Sequence, residues 1–202
     1  MNDPTPTPPS IWNVPNRLTA ARLLLAVAVF FLLPLQYYIT AMILFIIAAA
    51  TDWVDGYWAR RYNQVTQLGR VFDPVVDKIL ICGTFIMLVE EMHDYEVRVW
   101  GWLAVLVTCR EMLVTVLRSY IEQHGGDFSA KMPGKLKMVF QCVAAGAAML
   151  ALAYGTRGSG PEAVPAWLTS VLTISIVLTV VYTVYSGVGY IKSAVSMLRA
   201  TD

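Results

Sequence analysis

The chain has 202 residues, 57% hydrophobic and 14% charged, with a formal net charge of +1. Soluble domains carry roughly a quarter charged residues, so the composition excludes an ordinary soluble domain and points to an all-α integral membrane protein. So small a net charge carries no argument for a nucleic-acid partner, and none is expected. Cys82, Cys109 and Cys142 each sit inside an apolar stretch, which argues against a disulfide framework.

Residues 1–10, MNDPTPTPPS, hold four prolines and no apolar run, and read as a disordered tail. Residues 11–202 read as one membrane catalytic domain. In the stretch SIWNVPNRL, Trp12 suits a membrane interface and Pro15 precedes the helix proper, which predicts a short interfacial segment. A helix needs roughly 20 apolar residues to cross a bilayer. Six segments qualify, at 18–35, 37–60, 74–92, 99–121, 135–154 and 167–191, so six transmembrane helices are expected.

Arg17, Arg22, Arg60, Arg61, Arg70, Lys78, Arg118, Lys131, Lys135, Lys137, Lys192 and Arg199 fall towards one side of these segments. Glu90, Glu91, Asp94, Glu96 and Glu162 fall on the other, with Arg98 and Arg157. The excess of Lys and Arg marks the first side as cytoplasmic, and both termini with it.

At that same end the second segment runs from apolar AMILFIIAAA into TDWVDGYWARR. At 100° per residue Asp52 and Asp55 are about 60° apart on a helix, and Asp73 and Asp77, at i and i+4, share a face. Four carboxylates at a membrane edge repel one another unless cations join them. An oxygen-only set suits hard ions, and four carboxylates suffice for two Mg²⁺ or Mn²⁺ ions. The lack of His or Cys in the cluster disfavours zinc. Paired metals of this kind stabilise attacking and leaving oxygens in phosphoryl transfer. Each residue also has a plain structural reading. Asp73 before Pro74 has the pattern of a helix cap, and Gly56, Ala59 and Gly69 either permit close helix packing or let a bulky ligand approach.

Arg110 and Glu111 lie deep in the fourth segment, where unpartnered charge is expensive. Arg118 is eight residues beyond Arg110, roughly the same face two turns on, and Lys135 opens the fifth segment. Two readings stay open: Arg110, Arg118 and Lys135 converge on an anionic substrate, or Arg110 and Glu111 form a structural ion pair. Lys131 and Lys137 read as lysines reaching out to lipid headgroups.

The pattern Asp52-x2-Asp55-Gly56-x2-Ala59-Arg60-x8-Gly69-x3-Asp73-x3-Asp77 resembles the signature of the CDP-alcohol phosphotransferases at all eight fixed positions. The resemblance implies a six-helix membrane fold, a homodimer, and two metal ions held by Asp52, Asp55, Asp73 and Asp77. It further implies a CDP-linked donor against Gly56, Ala59, Arg60, Thr66 and Gly69, with Asp77 as general base on the acceptor hydroxyl. The stretches NVPNRLTAARLLLA, REMLVTVLRSY and GKLKMVFQ are similar to those of bacterial members that use sn-glycerol 3-phosphate as acceptor and CDP-diacylglycerol as donor. That similarity implies the bacterial cytoplasmic membrane as location, an active site facing the cytoplasm, and Asn16, Thr19 and Arg22 near the site. Asn16 and Thr19 also read as helix caps. Rival readings are the same chemistry with inositol 1-phosphate, serine or a second lipid as acceptor, and a divalent cation transporter. Transporter sites lie near the bilayer midplane, whereas these aspartates gather at one end.

Overall fold

The computed structural model describes residues 14–62, 67–123, 132–158 and 160–201, with side chains described for 17–51, 74–119, 136–158, 160–192 and 194–195. The described residues form six α-helices: α1 (Val14–Leu32), α2 (Tyr38–Tyr62), α3 (Gln67–Glu91), α4 (Gly101–Gln123), α5 (Met132–Arg157) and α6 (Ala166–Thr201). A single 3-10 turn, Pro161–Ala163, links α5 to α6. No strand occurs among the described residues.

In α1, α2, α5 and α6 apolar residues recur on nearly every face, as expected where both core and surroundings are apolar, whereas α3 and α4 are more one-sided. Large side chains such as Leu24 (71% exposed), Phe31 (70%) and Val116 (68%) point outward, an arrangement that water would not favour and lipid does. Residues 136–157 of α5 and 166–192 of α6 are long and apolar enough to cross a bilayer on their own composition. The described residues are thus all-helical, with two candidate membrane spans.

Helix contacts close a ring in the order α1, α2, α5, α6, α4, α3, and α3 also touches α5 across it. Helix α5 owes this central position to small residues. Ala144, Ala145, Ala147, Ala148 and Ala151 are all buried and let neighbouring backbones approach. Between α1 and α3 the same purpose is served by Gly83, where an added Cβ would lie 2.2 Å from the Phe30 ring.

The helix limits depart most from the expected ones in α1, α3 and α6. α1 begins at Val14, not at residue 18, with Pro15 inside its first turn, where a missing N–H costs nothing. The expected interfacial segment is therefore helical from Val14 onward, and Trp12 lies outside the described residues, as does the tail 1–10. At its other end α1 stops at Leu32, ahead of Pro34. The amide of Tyr37 bonds to the Leu32 carbonyl at 3.0 Å, and Gln36 takes the left-handed φ of 62° that such a stop requires.

α3 begins at Gln67, not at Pro74, and runs through that proline. Asp73 is thus an interior helical residue and not a cap. α6 continues to Thr201, ten residues past the expected end. At 1.5 Å per residue its 36 residues span about 54 Å, longer than the roughly 30 Å of a hydrocarbon core requires.

Candidate active site

Asp77 and Lys78 are consecutive on α3 and so point about 100° apart, towards different neighbours. Asp77 meets α1. The Nη1 of Arg22 donates to its Oδ1 at 2.5 Å, with the Arg22 side chain 2% exposed and that of Asp77 18%. Thr19, one turn before Arg22, is buried as well.

Lys78 meets α4. Its Nζ lies 3.2 Å from Oε2 of Glu111, whose side chain is buried. The Oε1 of the same carboxylate accepts from Nη1 of Arg110 at 3.2 Å and from Nζ of Lys137 on α5. Helix α6 holds Arg110 from its far side. Nη2 of Arg110 donates to Oγ of Ser186 at 3.0 Å, and the guanidinium stands 5.5 Å from the centre of the Tyr190 ring. Ser186 in turn donates to the Tyr182 carbonyl at 2.6 Å.

One carboxylate therefore gathers cations from three helices. Isolated, it would cost several kcal/mol to bury, and the cations reverse that penalty. Three positive groups against one negative leave a formal surplus of two positive charges beside Asp77 in the chain. Among the described residues of this group, Nε of Arg110 is a buried donor with no acceptor.

Residues 12–185 match the family model of the CDP-alcohol phosphatidyltransferases. The chain belongs to this family. Curated relatives of this phosphatidyltransferase include the CDP-diacylglycerol–glycerol-3-phosphate 3-phosphatidyltransferase of Bacillus subtilis (strain 168), 35% identical over 156 residues, which are 69% of this chain and 78% of that protein. The protein of the same name from Escherichia coli (strain K12) is 35% identical over 139 residues, 66% of this chain and 74% of its own.

The matched region of the phosphatidyltransferase holds the whole aspartate signature. Asp52, Asp55, Gly56, Ala59 and Arg60 fall on α2, and Gly69, Asp73 and Asp77 on α3, two helices in contact. Of these, only Asp77 has a described side chain, and Thr66 lies outside the described residues. Asn16 on α1 and Lys135 on α5 are helical, with their side chains likewise outside the description. Arg118 is exposed on α4, two turns from the buried Arg110.

One expectation is overturned. Lys137 does not reach out to headgroups, because it is 5% exposed and paired with Glu111. A charge–charge contact inside the bundle holds its ammonium where lipid phosphates cannot compete. The Arg110–Glu111 pair is present, but as part of a larger group. Lys78 and Ser186 were not singled out as site residues in the sequence, and their place here came only from the structure. A signal for such partners did exist: a glutamate deep in an apolar helix needs cations from elsewhere in the chain.

Proposed function

We propose that this phosphatidyltransferase moves the phosphatidyl group of CDP-diacylglycerol to sn-glycerol 3-phosphate, giving phosphatidylglycerol phosphate and CMP. The family supports the donor and the type of transfer. The two curated relatives act, by name, on these substrates. The observation that carries the acceptor is the surplus positive charge around Glu111. It suits an acceptor bearing a phosphate and would be wasted on a neutral or zwitterionic one.

On this reading the acceptor hydroxyl attacks the phosphorus that carries the diacylglycerol. A new P–O bond forms, the P–O bond to CMP breaks, and the hydroxyl proton passes to the Asp77 carboxylate. Arg22 holds that carboxylate through its guanidinium and fixes its orientation. Asp52, Asp55, Asp73 and Asp77 are the residues that would hold two divalent cations, Mg²⁺ or Mn²⁺; an all-carboxylate set fits such ions, and the Asp77 side chain is not fully buried. The ions, when bound, supply charge neutralisation on the pyrophosphate. Gly56, Ala59, Arg60, Thr66 and Gly69 take the CDP moiety. Arg110, Arg118 and Lys135 contribute to the acceptor's phosphate site, with Asn16, Thr19 and Arg22 at its edge.

The six helices span the bacterial cytoplasmic membrane with both termini and the aspartates on the cytoplasmic side, and two copies associate. That placement suits the chemistry, because one substrate is anchored in the bilayer and the other is dissolved in water.

Headgroup competition tests the proposal. Purified protein receives CDP-diacylglycerol, Mg²⁺ and one acceptor per reaction: glycerol 3-phosphate, inositol 1-phosphate or serine. CMP release with glycerol 3-phosphate alone is expected. Release with serine and not with glycerol 3-phosphate would overturn the acceptor assignment.

A further inference from the structure

Glu111 stands at the centre of the cation group but cannot itself bind an anion. Its carboxylate repels a phosphate, yet among the described residues it is the one group that touches Lys78, Arg110 and Lys137 together. Each of these comes from a different helix, α3, α4 or α5, and α6 joins through Ser186. Without a central anion, three neighbouring cations, Arg110 and Lys137 buried and Lys78 partly so, repel one another and each relaxes towards its own headgroups or solvent. With it, they are drawn together and still carry a net charge of +2. Arg110 keeps one N–H, its Nε, buried and unsatisfied, so the group holds both charge and a free donor for an incoming anion.

We propose that Glu111 is a positioning residue for the acceptor's phosphate: it sets Lys78, Arg110 and Lys137 in one place without touching the substrate, and Lys78 and Lys137 thereby join the determinants of acceptor specificity. This rests on an anionic acceptor, as proposed above, but not on which one. The CDP-lipid, bound at the aspartate signature, does not depend on Glu111.

The experiment compares Glu111→Gln, Glu111→Asp and Lys78→Gln in detergent-purified protein, measuring kcat and KM for each substrate, with thermal stability followed in parallel. Glu111→Gln keeps the side chain's size and removes its charge. It raises KM for glycerol 3-phosphate at least tenfold, about 1.4 kcal/mol of binding, and leaves KM for CDP-diacylglycerol within twofold. Glu111→Asp recovers most of the loss. Equal changes in both KM values, a fall in kcat alone, or wild-type constants would each overturn the proposal. Should Glu111→Gln fail to fold, Lys78→Gln decides, since it leaves the Glu111–Lys137 and Glu111–Arg110 contacts in place. It raises KM for glycerol 3-phosphate several-fold, and an unchanged value would refute the assignment. The two ideas fail separately. If headgroup competition selects inositol 1-phosphate, the same shift in KM appears for that acceptor, and only the identity of the alcohol is lost.

Discussion

Arg22 of α1 reaches across 55 residues of chain to donate a hydrogen bond to Asp77 of α3, with almost the whole arginine side chain out of contact with solvent. The pair fixes the direction of a carboxylate that the proposed reaction needs both ionised and correctly aimed. A guanidinium is the suitable partner, because it is always charged and its planar fork holds geometry.

Arg22→Ala therefore lowers kcat by about 100-fold, the usual scale for small misplacement of a reacting group. Arg22→Lys retains the charge and loses the fork, so its kcat lies between the two. Steady-state CMP release checks this, and an Arg22→Ala protein with wild-type kcat would show that the ion pair is only packing.

Asp77→Asn removes the proposed proton acceptor while keeping size and most contacts. The expected loss in kcat is about 10²- to 10⁴-fold, the range for general-base removal. A circular-dichroism spectrum and a gel-filtration profile like those of the parent protein separate lost chemistry from lost structure.

Chelation of divalent ions stops CMP release, and Mg²⁺ or Mn²⁺ restores it, because an all-carboxylate ligand set is matched to hard cations. Full activity after exhaustive treatment with EDTA would remove the metal from the mechanism. The binding of Mn²⁺ itself, followed by electron paramagnetic resonance, is expected to weaken in Asp77→Asn even where activity is too low to measure.

Gly83 faces the ring of Phe30 at the crossing of α3 with α1, and a methyl group there would lie 2.2 Å from the ring's tip. Gly83→Ala forces the ring or the helices apart and costs about 1–3 kcal/mol, the usual penalty of overpacking. The double variant Gly83→Ala with Phe30→Leu recovers part of this, so that its loss is smaller than the sum of the single losses. Thermal unfolding in detergent reads both, and strict additivity would mean that the two residues do not meet.

At the opposite end of the bundle the Tyr38 hydroxyl donates to Oε2 of Glu91 at 2.7 Å, tying the start of α2 to the end of α3. Tyr38 itself is 4% exposed. Tyr38→Phe keeps the ring and loses the bond, which lowers stability by about 1 kcal/mol. Activity is expected to stay at the parent level, since this tie lies far along α3 from Asp77. A large drop in kcat without loss of stability would contradict that separation.

Much of this protein was determined by local properties of the chain. Apolar runs identify membrane helices because every buried backbone group must be satisfied within its own segment. The aspartate signature is equally local: its spacing on α2 and α3 follows from 3.6 residues per turn and needs no knowledge of neighbours. Helix ends were less legible, because Pro15 and Pro74 look like breakers in sequence, while the structure accommodates one in a first turn and the other within a helix. The tertiary structure alone decided which charges meet. Arg22 with Asp77, and Glu111 with Lys78 and Lys137, join different helices. Their pairing depends on the order of helices around the ring, which is set by packing between elements far apart in the chain. For the same reason Lys137 looked like a lipid-facing lysine: its own segment shows only a cation near a helix start, and the carboxylate that draws it inward lies 26 residues away.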